Sequence, residues 1–288
     1  MNYEGQICRA PMERASYMLP VAVGCSYNRC KFCMLFKHLK YRELPLTQVE
    51  EELKRVQRAG GFPKRIFLGD GNAFGLETSR LLKLLYMIRS YFPDFESVNM
   101  DATVTNIRLK SDEELRKLYS AGVRHLYLGI ESGLDDVLKF MDKDHSLSEA
   151  YEAIQRIQEA RMVYDAHIMT GAAGKGRGIC SAQKTAEFFN RTKPRRIINF
   201  SMFLHKEAPL YQDIEAGRFK PASELENLQE EKRLLELLSV ENLEYDGFHD
   251  FIEYRVRGRL PENRKSMIDS LEKCIEKYLT KDEVIAII

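Results

Sequence analysis

Apolar positions along this chain follow two alternating rhythms. Short runs at the two-residue period of strands are separated by longer stretches at the three-to-four-residue period of helices. The runs predict strands over 18–24, 64–69, 97–105, 124–131, 162–170 and 195–203, with helices over 47–59, 77–91, 111–121, 134–141, 147–161 and 181–191 between them. The helix over 77–91 shows Leu81, Leu84, Leu85 and Ile88 on one face. Thr47 with Glu50 and Ser111 with Glu114 have the spacing of capping boxes, and Gly60-Gly61-Phe62-Pro63 and Gly122 supply stop signals. Beyond 203 the pattern is mostly helical, clearest over 223–238 and 261–279. Six strand–helix units in succession predict an α/β fold with a parallel sheet and helices outside it.

The strands carry a second pattern, because alternate residues face opposite ways. Asn99, Asp101, Tyr127, Asp165, His167, Asn199 and Ser201 fall on the more polar faces. If helices cover the other face, these seven line a wet cavity; the alternative is an ordinary two-sided sheet with a solvated face. Paired charges such as Glu50-Glu51-Glu52 and Glu230-Glu231-Lys232-Arg233 predict solvated helix faces.

Net charge changes little. At +1 over 288 residues there is no global electrostatic case for nucleic acid or an anionic membrane. No apolar run reaches the roughly 20 residues that a membrane span needs, and residues 1–7 lack the regions of a signal peptide. The six cysteines then predict a reduced, cytoplasmic protein.

Three of those cysteines carry the chemistry. Cys25, Cys30 and Cys33 lie within nine positions, directly after the first strand, at C-x4-C-x2-C spacing. Thiolates so close hold metal more often than they form disulfides. Zinc completed by His38 or Cys8 is one possibility; an iron–sulfur cube with one open iron is the other. Cys8, Cys180 and Cys274 are too scattered to form a second tight group.

The loop Gly24-Cys25-Ser26-Tyr27-Asn28-Arg29-Cys30-Lys31-Phe32-Cys33 resembles the cluster loop of the radical S-adenosylmethionine (radical SAM) superfamily, with one more residue in its first gap than the usual C-x3-C-x2-C. Supporting stretches are Arg9-Ala10-Pro11, Leu68-Gly69-Asp70-Gly71-Asn72-Ala73, Gly129-Ile130-Glu131-Ser132-Gly133 and Arg257-Gly258-Arg259-Leu260-Pro261. They are similar to the coproporphyrinogen-oxidase-like or Elongator-like subgroup, and the likeness covers nearly the whole chain. It implies a partial (β/α)6 TIM-like barrel over 18–203, a leader over 1–17 and a helical C-terminal cap over 204–288. It further implies a [4Fe–4S] cluster on Cys25, Cys30 and Cys33, whose open iron chelates SAM. Reduction then cleaves SAM to methionine and a 5′-deoxyadenosyl radical.

By the same resemblance, Phe32 lies near the adenine, and Gly69, Asp70, Gly71 and Asn72 occupy the position of the segment that binds the SAM amino group. Strand C-termini carry the active sites of such barrels. Glu131 and Ser132 are therefore candidates for the ribose, and Thr170 and Gly171 for the same cofactor, with the glycine-rich stretch 171–178 as a loop over the site. Asp101, Asp165 and His167 are the candidate catalytic residues, the last two being a same-face pair. His249 and Tyr254 are further substrate candidates. The expected partners are a small polar substrate and a reducing electron donor such as flavodoxin or ferredoxin. A non-catalytic iron–sulfur or zinc protein is the alternative from another class, and RNA modification is a third function, which the charge balance argues against.

Overall fold

The computed structural model describes Glu4 and residues 8–288. In chain order the elements are β1 (Tyr17–Pro20), β2 (Ala22–Val23), β3 (Arg42–Glu43), α1 (Leu46–Arg58), β4 (Arg65–Gly69), α2 (Thr78–Tyr91), β5 (Ser97–Ala102), α3 (Val104–Arg108), α4 (Asp112–Ala121) and β6 (Val123–Glu131). There follow α5 (Asp135–Phe140), α6 (Leu147–Glu159), β7 (Val163–Thr170), α7 (Gly178–Thr192), β8 (Arg196–Ser201), α8 (Pro209–Glu215), α9 (Glu224–Leu237), β9 (Leu243–His249), β10 (Tyr254–Leu260) and α10 (Arg264–Leu279). Strand order in the main sheet is β1-β4-β5-β6-β7-β8-β9-β10, and β2 pairs with β3 apart from it. The chain divides into two compact units, described in turn.

The first unit comprises the chain through Asn28 together with 33–128 and 152–164. Here β1, β4, β5 and β6 pair in parallel. The face predicted for α2 is buried, with Leu81, Leu84, Leu85 and Ile88 each at most 1 % exposed. Burying such side chains contributes about 1.5–3 kcal/mol each. The Ser111–Glu114 capping box is present, and Gly122 closes α4 at φ +124°, a conformation that favours glycine. Two local expectations fail. Pro45, not Thr47, precedes α1, so Thr47 lies inside the first turn and forms no capping box. The third strand ends at Ala102, because the Thr103 side chain accepts a hydrogen bond from the Asn106 amide and starts α3.

The second unit comprises 29–32, 129–151 and 165–288. There β7, β8 and β9 run parallel, and β10 returns antiparallel along β9. The segment 204–288, expected to be helical, thus contains two strands as well as α8, α9 and α10. On β10 the arginines at 255, 257 and 259 alternate with more buried residues, ending on Leu260. A terminal strand with outward charges is protected from pairing with another chain. Helix α9 opens on the Ser223–Glu226 capping box. Its Glu230 and Glu231 are 4 % and 0 % exposed, which overturns their assignment to a solvated face.

Candidate functional site

The cysteine loop connects β2 to β3 and is irregular throughout. Cys25, Cys30 and Cys33 are each partly buried, and no disulfide joins any of the six cysteines. Among the described residues no group of three His, Cys, Asp or Glu side chains stands ready-made around a metal position. Closure of thiolates around a metal is coupled to binding it.

In the first unit the segment after β4 is built onto this loop. Asn72 Nδ2 donates to Ser26 Oγ at 2.9 Å and to Asn106 Oδ1 at 2.5 Å. Gly71, at φ +38°, sits so close to Cys25 that a Cβ there would lie 2.8 Å from the Cys25 Cβ. Asp70 accepts the Gly71 amide at 3.0 Å. Asn106 was not foreseen; its signal was the T-x-x-N spacing to Thr103, which reads as a cap and nothing more.

Next to it lies an acidic group. Burial, then Asp70 and Glu13, push the Asp101 carboxyl up to about 8, so it is protonated at neutral pH. Burial, with Asp70 and Asp101, likewise pushes the Cys8 thiol up to about 12. Glu13, from the leader, is buried and accepts hydrogen bonds from Asn99 Nδ2 and Tyr127 Oη, both at 2.7 Å. Two of the seven predicted cavity residues are therefore bonded to a buried carboxylate.

In the second unit, register aligns Asp165 with Arg196, His167 with Ile198 and Met169 with Phe200. His167 packs edge-on against Phe200, and Asp165 is fully buried with Arg196 Nη1 4.0 Å away. Burial, reinforced by the Lys143 cation, pushes His167 down to about 4, leaving a neutral imidazole. Asn199 and Ser201 point elsewhere. Asn199 Nδ2 donates to Glu231 Oε1 at 2.9 Å, and Ser201 Oγ donates to Glu224 at 3.0 Å. Both carboxylates belong to α9, so these two side chains face a helix and not the predicted cavity. The strand carries apolar residues on both faces, and a one-residue misreading flips every side chain.

His249 joins the same network, with Nδ1 2.8 Å from Glu224 Oε2 and Nε2 2.9 Å from Glu231 Oε2. Burial works against its charge, but Glu231 and Glu224 outweigh it and hold the imidazole up at about 9. Tyr245 Oη donates to Glu231 at 2.8 Å. Tyr254 pairs with Ser270. His249 and Tyr254 thus both have partners within the chain.

Glu131, at φ +62°, ends β6 and pairs with Lys143 Nζ at 3.2 Å. Lys143 is 8 % exposed and its cation lies 5.9 Å from the Phe32 ring centre. Burial opposes its charge, but Glu131 and the Cys30 thiol outweigh it and its pKa is raised. Lys143 was missed because a lone lysine after a short helix carries no sequence signal. The Gly171 amide is taken by Glu230 Oε2 at 2.9 Å, and burial pushes that carboxyl up to about 7.

The residues present fit the implied cluster and SAM. Three thiols supply the donor set for a cube with one open iron. Asn72 Oδ1, Ser132 Oγ and Thr170 Oγ1 are buried without a partner among the described residues, and all three fall at predicted cofactor positions. Buried polar atoms are costly unless hydrogen-bonded, so acceptors and hydroxyls left this way point to a polar ligand.

Residues 19–189 match the model of the radical SAM superfamily. The chain is 28 % identical over 137 residues to a heme chaperone of Bacillus subtilis, covering 47 % of this chain and 36 % of that one. It is 28 % identical over 162 residues to a tRNA-2-methylthio-N(6)-dimethylallyladenosine synthase of Chlorobium luteolum, covering 51 % of this chain and 33 % of the relative. The matched region thus spans about a third of either relative. Coproporphyrinogen III oxidase from Escherichia coli superimposes with a TM-score of 0.57 at 16 % identity, over 77 % of this chain and 52 % of that one, which shows the shared fold. The chain belongs to the radical SAM superfamily, whose members work with a [4Fe–4S] cluster and SAM.

Proposed function

We propose that this enzyme cleaves SAM reductively and uses the radical to abstract hydrogen from a small polar substrate. When bound, the cluster supplies one electron to SAM, and SAM supplies the 5′-deoxyadenosyl group that takes the hydrogen atom. The observation that carries the proposal is the pair of unmet buried hydroxyls on Ser132 and Thr170 in the second unit, just after the end of β6 and at the end of β7. Strand C-termini are where barrels of this kind place their ligands.

Cys25, Cys30 and Cys33 would hold the cluster. Gly69, Asp70, Gly71 and Asn72 would present backbone carbonyls and the Asn72 Oδ1 to the SAM amino group. Phe32 would offer its ring to the adenine, with Glu131 and Ser132 accepting and donating at the ribose. Lys143, 3.2 Å from Glu131 Oε1, would orient that side chain. Thr170 would add its hydroxyl, whereas the Gly171 amide is already spent on Glu230. Asp101, protonated at neutral pH, is a hydrogen-bond donor, and neutral His167 is a group able to accept a proton; Asp165 would orient its neighbours. An electron donor of flavodoxin or ferredoxin type completes the proposal.

A second function is supported by one observation, the likeness to a tRNA-modifying relative. The distinguishing experiment uses anaerobically reconstituted protein with dithionite and SAM. Formation of 5′-deoxyadenosine, accelerated by a pool of small polar metabolites and not by tRNA, is expected. Acceleration by tRNA alone transfers the proposal to RNA modification. Iron-loaded protein that forms no 5′-deoxyadenosine overturns both.

A further inference from the structure

The glycine-rich stretch after β7 borders a cavity of about 350 Å³ in the second unit, within the size range of small-ligand sites. Lys175, Arg177, Arg218 and Lys220 line it, with Asp136 the one acidic side chain in its wall. Phe140 and Phe219, stacked 5.7 Å apart with planes 19° from parallel, form its apolar side. The cations are held there by backbone geometry. Gly174 at φ +80° lets the loop approach the irregular segment 219–220 closely, since a Cβ would lie 2.9 Å from the Lys220 carbonyl, and the Lys175 amide donates to that carbonyl at 2.8 Å.

A further feature favours an anion. The start of helix α7 does not supply it, because Glu230 already stands there, its Oε2 3.2 Å from the position of a Gly178 Cβ. Three of the cations do. Lys220 is exposed and has no carboxylate partner among the described residues, while Arg177 and Lys175 pair only with exposed Asp136 and Glu283. Exposed pairs of this sort are weak and yield readily to a better anion. The loop amides, in contrast, are used internally: Gly174 donates to Gly171 and Gly176 to Glu226. Side chains therefore do the holding.

We propose that this cavity binds the phosphate group of a small phosphorylated ligand, gripped by Arg177, Arg218 and Lys220, with the rest of the ligand against Phe140 and Phe219. Arg218 pairs with Asp213 at 2.6 Å, Arg177 with Asp136 and Lys175 with Glu283, so a phosphate would engage Lys220 and exchange with the carboxylates on the exposed guanidinium groups, whose forks match its oxygens. None of the individual residues assigned to the cluster or SAM takes part, although Lys175 and Arg177 belong to the 171–178 loop, so pyrophosphate binding is read separately from SAM cleavage.

The test is calorimetric titration of the reconstituted holoenzyme with inorganic pyrophosphate at low ionic strength. The variant is Arg177→Gln with Lys220→Gln; both side chains are exposed, so unchanged melting and cluster absorbance check that folding is intact. The exposed Lys206→Gln serves as control. Affinity is expected to fall by about tenfold or more in the double variant and to stay near wild type in the control. Three results overturn the proposal: no pyrophosphate binding by wild type at millimolar concentration, equal binding by the double variant, or single-stranded RNA bound more tightly with increasing length and lost in the same variant, which would assign the surface to a nucleic-acid strand.

Discussion

The face of β8 and β9 toward α9 and the segment that follows β4 use the same kinds of side chain, and they end in opposite states. Against α9, Asn199, Ser201, Tyr245 and His249 are each bonded to Glu224 or Glu231. After β4, Asn72 spends its amide hydrogens on Ser26 and Asn106 but leaves its buried oxygen without a partner among the described residues. The difference teaches that a buried polar residue on a strand is not by itself a ligand contact. What separates a structural network from a binding site is whether carboxylates elsewhere in the chain complete the hydrogen bonds.

The largest effect belongs to the cysteine loop. Replacing Cys25, Cys30 or Cys33 by alanine should reduce bound iron from about four per chain to near zero and abolish 5′-deoxyadenosine formation, read by iron assay and chromatography. Retention of a full cube in any of the three would reject that cysteine as a ligand.

The network should respond through stability instead. Glu231→Ala leaves His249 without one counter-ion and Tyr245 and Asn199 without an acceptor. Removing one partner of a buried charged pair costs about 3–5 kcal/mol. The denaturation midpoint should fall accordingly; an unchanged midpoint would mean that the network contributes nothing.

A pH series sharpens the same contrast. His249 binds its proton more tightly folded than unfolded, so its contribution is fully present below about 6.5 and is lost as pH rises through about 9. The shift corresponds to about 3 kcal/mol, measured as unfolding free energy from pH 6 to 10. His249→Gln should flatten that slope.

Gly71→Ala places a methyl against Cys25 at a left-handed backbone position. About 1–3 kcal/mol of strain is expected, seen as impaired cluster reconstitution while the α9 network keeps its pH response. The smallest effect is expected from Asp101→Asn. At about pH 3 its carboxyl is mostly neutral both folded and unfolded, so the isostere should change stability there by less than about 1 kcal/mol. The wild-type carboxyl contributes fully below about pH 4 and loses that contribution as pH rises through about 8; the variant should not. A large loss of stability at pH 6 would show that Asp101 is ionised when folded.

Much of the architecture was legible because it is local. The Ser111–Glu114 capping box, the apolar face of α2 and the strand–helix alternation through β8 each depend on residues a few positions apart. Strand β9 escaped notice because Gly247 and His249 occupy buried positions where apolar residues are expected, and β10 because arginines hold its outward positions. Gly247 itself is explained only by tertiary contact: a Cβ there would overlap Glu231 Oε1.

The sequence by itself determined the three-cysteine loop and the α/β order, since spacing and periodicity are short-range properties. Only the tertiary structure decided which polar groups are already satisfied. Glu13 meets Tyr127 across 114 positions and Glu231 meets Asn199 across 32. No local rhythm encodes such pairings, because a hydrogen bond depends on distance in space and each strand face is defined only by what packs against it.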